Sequence, residues 1–214
     1  MKDRRLLTVL LMCIVCFGCG SEKTSEKAMD YNRRGLAKAK SGEYKEAIEM
    51  YSAAILLDPD YAEAYNNRGV AKKRLGRYEA AIADYDAAIR LAPDLGTPYN
   101  NRGIIKKNLG EYEAAIADHN TAIHLRPDYV NAYYNRGLAK AKLDQYDAAI
   151  TDYDAAIQFN PEYTKAYFGR GLAKRSLNKT SEAKQDFQTA LELATQVGNV
   201  EMKSNIENLL LQFK

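Results

Sequence analysis

Residues 62–95 read AEAYNNRGVAKKRLGRYEAAIADYDAAIRLAPDL, and this stretch decides the fold of the 214-residue chain. Its first part predicts a helix up to about Leu75, and Gly76 follows in the position of a C-cap glycine. Its second part predicts another helix that starts at Tyr78, and Pro93 marks the end of that helix. The stretch therefore predicts two consecutive helices joined by a short turn.

The same pattern occurs five times in succession with a period of 34 residues, over residues 28–61, 62–95, 96–129, 130–163 and 164–197. In every copy an Arg directly precedes a Gly, and a Tyr lies four positions before that Gly: Gly35, Gly69, Gly103, Gly137 and Gly171. The second helix carries a ring at a constant position: Tyr51, Tyr85, His119, Tyr153 and Phe187. Alanines alternate with these rings, as in helices that interdigitate closely.

The composition excludes several classes of protein. A hydrophobic content of 46% and a charged content of 28% are typical of a globular protein and not of a disordered chain. The formal net charge is +3, and Lys2, Arg4 and Arg5 contribute to it from the first five residues. The remainder is nearly neutral, whereas a nucleic-acid-binding domain needs a positive field over its surface. We therefore predict no nucleic-acid partner.

The N-terminal segment predicts a signal peptide. A basic start precedes an apolar run over residues 6–17, which is too short to span the ~30 Å hydrocarbon core of a membrane. The residues CFGC at positions 16–19 resemble the lipobox of bacterial lipoproteins, which implies lipidation of Cys19. We expect a signal peptide over residues 1–18 and the lipidated Cys with a polar, flexible tether over 19–27. An uncut helical anchor and an ordinary secretion signal are the alternatives.

The period, the helix pair and the recurring residues together resemble the tetratricopeptide repeat (TPR). The resemblance covers residues 28–197 and implies an all-α, right-handed α-solenoid of five helix-turn-helix repeats. Lysines replace the aromatic residue that the family usually has at one position: Lys38, Lys72, Lys106, Lys140 and Lys174. Residues 198–214 predict a capping helix, since Met202, Ile206, Leu209, Leu210 and Phe213 share one stripe.

The sequence contains none of the common catalytic motifs. The three cysteines lie within the first nineteen residues, and His119 and His124 are too far apart around a helix to share a metal ion. His119 occupies a ring position, which predicts a core histidine. We therefore predict a non-enzymatic protein without cofactor, metal or small-molecule substrate, with an enzyme of unrecognised site as the remaining alternative.

Four repeats place an Asp 16 residues after the repeated Arg. The pairs are Arg68 and Asp84, Arg102 and Asp118, Arg136 and Asp152, and Arg170 and Asp186. Because this offset joins the two helices of one repeat, we predict intra-repeat salt bridges; ligand binding by the arginines is the alternative. The first repeat has Met50 in the Asp position, which leaves Arg34 without this partner.

The resemblance implies a concave groove lined by the first helix of each repeat. It implies an apolar floor of Leu36, Val70, Ile104, Leu138 and Leu172. It also implies that polar and aromatic side chains face the groove: Asn66, Asn67, Asn100, Asn101, Asn131, Tyr134, Asn135 and Phe168. A basic rim comprises Lys40, Lys73, Arg74, Lys107, Lys142 and Arg175.

Asparagines can pair with a peptide backbone, and lysines attract carboxylates. We therefore predict that an extended peptide or partner protein binds in this groove. The alternative for Asn67, Asn101 and Asn135 is that they brace the next helix, and the alternative for the whole protein is a self-assembling envelope component. Together with the lipobox, the repeats predict an adaptor that is lipid-anchored at the bacterial cell envelope, on its periplasmic or extracellular face.

Overall fold

The computed structural model describes residues 24–211, and every regular element in this range is a helix. Eleven helices occur within it, in five consecutive antiparallel pairs and one additional helix, which confirms the predicted all-α fold. The first helix, α1, covers 24–40. The others are α2 Tyr44–Leu57, α3 Ala62–Arg74, α4 Tyr78–Leu91, α5 Gly96–Asn108, α6 Tyr112–Leu125, α7 Val130–Lys142, α8 Tyr146–Phe159, α9 Thr164–Ser176, α10 Thr180–Gln196 and α11 Val200–Leu210.

The chain forms two compact units, one ending at Pro93 and the other beginning at Asp94. Within residues 24–211, the first unit contains α1–α4 and the second contains α5–α11. In the second unit each helix packs against the next one along the chain, and the first helices of successive repeats, α5, α7 and α9, are also neighbours. These three helices present the residues that the sequence assigned to a groove.

A ring from the second helix of each repeat packs against a glycine in the first. A Cβ on Gly103 would lie 2.8 Å from Cε1 of His119, and a Cβ on Gly137 would lie 2.8 Å from Cε1 of Tyr153. Heavy atoms of side chains do not approach so closely, so these positions require glycine. Ten alanines of the second helices are fully buried around the rings: Ala47, Ala54, Ala81, Ala88, Ala115, Ala122, Ala149, Ala156, Ala183 and Ala190.

The turn inside each repeat contains one residue with a left-handed backbone. The φ values are +80° at Gly42, +72° at Gly76 and +86° at Gly110, and +57° at Asp144 and +58° at Asn178. Glycine adopts this conformation without a Cβ clash, and Asn and Asp tolerate it better than other residues. In the second repeat, the amide of Arg77 donates to the carbonyl of Lys72 at 3.0 Å, which closes the helix end.

The predicted signal peptide of residues 1–18, Cys19 and the first part of the predicted tether lie outside the described residues. Residues 24–27 differ from the prediction of a flexible tether, because they form the first turn of α1. The turn continues into Ala28, which is fully buried, so the packed part of the helix supports it. None of the helices within 24–211 has the length and apolar character that spanning a membrane requires.

Helix α11 covers one end of the second unit. The side chain of Asn199 accepts a hydrogen bond from the backbone amide of Met202 at 3.0 Å and thereby caps the helix. Ile206 is fully buried against a cluster that includes Phe187 and Ala194 of α10. The predicted capping helix is therefore present, with Phe213 outside the described residues.

Candidate peptide-binding site

Each aspartate of the four Arg–Asp pairs forms salt bridges with two cationic side chains, an Arg and a Lys. In the third repeat, Nη2 of Arg102 lies 2.6 Å from Oδ1 of Asp118, and Nζ of Lys106 lies 2.9 Å from Oδ2. Asp118 is only 5% exposed, and a buried carboxylate needs such partners. The other three groups are Arg68, Lys72 and Asp84; Arg136, Lys140 and Asp152; and Arg170, Lys174 and Asp186.

The lysine of each group is a contact that the sequence reasoning missed. It stands four residues after the arginine, where the family usually has an aromatic residue. Residues four apart lie on the same face of a helix, so this recurring Lys could have been assigned to the same aspartate. In the first repeat, which lacks the Asp, Lys38 pairs instead with Glu43 at 2.5 Å.

The same arginines also connect successive repeats. Nη1 of Arg136 donates to Oδ1 of Asn120 at 2.7 Å, and Nη1 of Arg170 donates to Oδ1 of Asp154 at 2.5 Å. The guanidinium of Arg136 also lies 5.4 Å from the ring centroid of Tyr133. Because these contacts occupy the guanidinium on several sides, the structure gives the arginines a role in holding the repeats together.

The asparagines of the predicted groove hydrogen-bond to one another. In the first unit, Nδ2 of Asn67 donates to Oδ1 of Asn32 at 3.1 Å. In the second, Nδ2 of Asn135 donates to Oδ1 of Asn100 at 3.4 Å, and Nδ2 of Asn100 donates to the hydroxyl of Tyr129 at 3.3 Å. Both members of the second pair are buried. These amides brace successive first helices, and their contact with a peptide stays a prediction.

The remaining predicted asparagines differ in their surroundings. Nδ2 of Asn66 lies 3.5 Å from Oδ1 of Asn67, and both side chains are half-buried. Asn101 is also half-buried. Asn131 is exposed, and its Oδ1 accepts from the hydroxyl of Tyr163 at 2.8 Å. Of this group, Asn131 is therefore the most accessible to a ligand.

The row of amide pairs stops between the fourth and fifth repeats. Tyr134 and Gly169 stand where Asn100 and Asn135 stand one repeat earlier. The ring centroid of Tyr134 lies 6.0 Å from that of Tyr153 and 5.5 Å from that of Tyr163. Burial raises the pKa of Tyr134 above its usual value. One repeat further, the rings of Phe168 and Phe187 lie 5.8 Å apart. Aromatic packing thus replaces hydrogen bonding at this end of the row.

An open pocket of about 190 Å³ lies at this interruption. It is lined by residues from α7, α8 and α9: Leu138, Ala141, Lys142, Tyr146, Tyr153, Gly169, Leu172, Ala173 and Ser176. Leu138, Lys142 and Leu172 belong to the predicted floor and rim, so the pocket lies on the face that the sequence assigned to the ligand. Its walls are mostly apolar, with polar atoms at a few points, as is usual for binding sites.

Two lysines of the basic rim lie close together in the second unit. Burial lowers the pKa of Lys107 below its usual value, and the positive charge of Lys142 lowers it further. Among residues 24–211, neither lysine has a hydrogen-bond or ion-pair partner. Of the other rim residues, Arg74 is exposed, whereas Lys73 and Arg175 are half-buried. A carboxylate bound between Lys107 and Lys142 would reduce their mutual repulsion.

His119 lies in the core, where neither ring nitrogen has a hydrogen-bond partner among the described residues. Burial lowers the pKa of His119 to about 3, and the charge of Lys107 contributes to this shift. A neutral imidazole therefore fills the position that holds Tyr or Phe in the other repeats. Residues 24–211 contain no cluster of three His, Cys, Asp or Glu side chains able to hold a metal ion.

Three family models match the repeats. A model described as TPR repeat matches residues 35–76 and 106–144, one described as tetratricopeptide repeat matches 62–95 and 130–163, and another of that description matches 164–196. Together they span more than half of the chain. The chain belongs to the tetratricopeptide repeat family. The matches at 62–95 and 130–163 have the same boundaries as the second and fourth predicted TPR repeats.

Solved structures share the TPR fold. A crystal structure of MamA is 28% identical, with a TM-score of 0.68, and the match covers 82% of this chain and 96% of MamA. The pilF protein of Pseudomonas aeruginosa is 16% identical, with a TM-score of 0.74 and coverage of 89% and 93%. YrrB, described as a TPR protein with an unusual peptide-binding site, is 19% identical, with a TM-score of 0.65 and coverage of 90% and 97%. A comparison with curated proteins gives no significant match.

Proposed function

We propose that this TPR protein is a non-enzymatic scaffold that binds an extended segment of a partner protein across α5, α7 and α9. The observation that carries the proposal is the pair of Lys107 and Lys142, which has no acidic partner among the described residues. Like charges that lie close together, one of them half-buried, repel each other, and a ligand of opposite charge relieves this repulsion. A carboxylate on the partner segment supplies that charge.

The surroundings of the lysine pair suit a peptide. Lys142 borders the pocket, whose walls include Leu138 and Leu172, so a cation and apolar surface lie side by side. An extended peptide alternates its side chains and can place an acidic and an apolar group on such a surface. Membership of the TPR family supports protein binding, and the peptide-binding site described for YrrB supports it as a likeness of fold.

Crosslinking in intact cells, followed by binding assays with the identified segment, tests the proposal. We expect Lys107→Ala and Lys142→Ala each to lower the affinity about tenfold or more, the value of a charge-assisted contact. Lys184→Ala, at an exposed position of α10 outside the predicted groove, is the control and should leave the affinity unchanged. Crosslinks only between copies of this chain would instead favour a self-assembling scaffold.

We also propose that a lipid on Cys19 anchors the protein at the bacterial cell envelope, on the periplasmic or extracellular face. The support is the residue pattern CFGC at positions 16–19, which follows a short apolar run. In cells labelled with a palmitate analogue, we expect the label on the wild-type protein and none on Cys19→Ala. Equal labelling of the variant would contradict lipidation at this residue, and Cys16→Ala is the matched control.

A further inference from the structure

The pocket in the second unit exists because three small residues meet there. Ala141 stands where Lys107 and Arg175 stand in the neighbouring repeats, and Gly169 stands where Asn135 stands one repeat earlier. Ser176 stands one repeat after Lys142, at the same position. Two of these residues lie on α9 and one on α7. The longer side chains found at the equivalent positions of other repeats are therefore absent from both sides of the same space. The pocket results from this coincidence.

A side-chain hydroxyl lies at the wall of the pocket. Tyr153 is only 1% exposed, and it lines the pocket. A Cβ on Gly169 would lie 3.3 Å from the hydroxyl oxygen of Tyr153, so the glycine leaves that oxygen uncovered. Within residues 24–211 the hydroxyl has no hydrogen-bond partner. The hydroxyl is therefore an unpaired donor that is open to a ligand in the pocket.

The remaining surface of the pocket defines what fits. Leu138, Ala141, Leu172 and Ala173 are apolar, and Lys142 supplies the cation at the rim. A volume of about 190 Å³ corresponds to roughly six water molecules, which is room for one large apolar side chain. Charge complementarity calls for an acidic group next to that side chain, at Lys142 and its neighbour Lys107.

We propose that the pocket is a specificity site for a partner segment in which a large aliphatic or aromatic residue is followed, within two positions, by Asp or Glu. The apolar side chain enters the pocket between α7 and α9, and the Tyr153 hydroxyl donates to a carbonyl oxygen of the segment. The carboxylate lies between Lys107 and Lys142. This inference rests on the proposed function and specifies the class of peptide that the scaffold binds.

A phage library of random internal dodecapeptides, panned on the full-length protein, tests the inference. We expect the enriched peptides to share the apolar–acidic pair, and synthetic peptides with both ends blocked to bind as well as the unblocked ones. Loss of binding on blocking the carboxyl end would mean that the terminal carboxylate is recognised, which would overturn the internal pair. Enriched peptides without the apolar–acidic pair would contradict the specificity assigned to the pocket but leave the scaffold proposal intact.

Three variants separate the parts of the site. Ala141→Lys fills the pocket with a side chain that Lys107 shows is tolerated one repeat earlier, and should lower the affinity for the enriched peptides at least tenfold. Ala39→Lys, at the same position of the first repeat, is the matched control and should have no effect. Tyr153→Phe removes only the hydroxyl. The fold accepts Phe at this repeat position, because Phe187 occupies it in the fifth repeat.

We expect Tyr153→Phe to weaken peptide binding severalfold without lowering the melting temperature. Binding unchanged in both Ala141→Lys and Tyr153→Phe would show that the pocket is not used, whether or not peptides bind elsewhere. If no peptide is enriched on the wild-type protein, both the pocket assignment and peptide binding by the scaffold fail. Circular dichroism at 222 nm verifies that each variant remains folded.

Discussion

Single residues in this protein take their role from the neighbouring repeat as much as from their own. His119 occupies a ring position that is filled by Tyr or Phe in the other four repeats, and the charges of Lys107 in its own repeat and Arg136 in the next one contribute to the downward shift of its pKa. Such a buried, unpaired imidazole remains neutral in the folded state. Its protonation therefore couples folding to pH.

Replacing His119 with Phe should remove a pH dependence of stability. The pKa of His119 is about 3 when folded and about 6.5 when unfolded, so the unfolded state binds the proton more strongly. Between these values, the free energy of unfolding of the wild type should fall by about 1.4 kcal/mol for each pH unit lost, relative to His119→Phe. Above pH ~6.5 the difference should be constant. Urea titrations at pH 7.5, 5.5 and 4.5 measure it.

Tyr51→Phe is the matched control for this prediction, because Tyr51 has the same repeat position and its pKa is raised by burial to about 12. It should show no relative change between pH 7.5 and 4.5, since neither the folded nor the unfolded phenol titrates there. Parallel pH curves for the wild type and His119→Phe would contradict the low pKa assigned to His119.

At the scale of the helices, the turn inside each repeat is set by one left-handed residue. Gly110 has a φ of +86°, and the equivalent Asp144 has +57°. The amide of Glu111 donates to the carbonyl of Lys106 at 2.9 Å just beyond Gly110. The left-handed residue therefore allows α5 to end with its carbonyls paired and α6 to begin directly afterwards.

Replacing Gly110 with Ala should destabilise the protein by about 1–2 kcal/mol, the cost of a Cβ in the left-handed region. Gly110→Asn should cost less, because Asn178 adopts this conformation in the fifth repeat. A Cβ at Gly110 meets no atom within 4 Å, so the loss comes from the backbone alone. Urea denaturation measures both variants, and equal losses for Ala and Asn would contradict this explanation.

At the scale of the whole molecule, each repeat contacts only its neighbours. A terminal repeat has one neighbour instead of two, so a capping helix contributes to its stability. Helix α11 covers the last repeat, and Ile206 is fully buried against α10, whereas Leu211 is 59% exposed. The stability contributed by the cap should therefore be local to the end of the second unit.

Replacing Ile206 with Ala should cost about 2–5 kcal/mol of local stability. Hydrogen exchange should accelerate in α10 and α11 and much less in α5, because neighbouring repeats transmit stability only through their contacts. Leu211→Ala is the matched control and should change neither region. An equal acceleration in α5 and α10 would show that the second unit unfolds as a single cooperative body.

The sequence by itself determined the repeat architecture. The 34-residue spacing, the glycine–ring pairs and the turn residues predict the helices and their order, because each of these signals lies within one repeat. The offset between Arg102 and Asp118 likewise lies within one helix pair, and the structure places the two side chains in contact. Local spacing is sufficient for such features, since helix geometry determines which residues face each other.

Only the tertiary structure decided how the side chains of different repeats meet. The amide of Asn135 could face a peptide or the preceding repeat, and the structure pairs it with Asn100. The pocket requires Ala141 and Gly169 on separate helices to border the same space under Tyr153. Spacing along the chain predicts which residues share a face, but the distance between faces depends on how closely neighbouring helices pack, because that distance is set by the volumes of all the side chains between them.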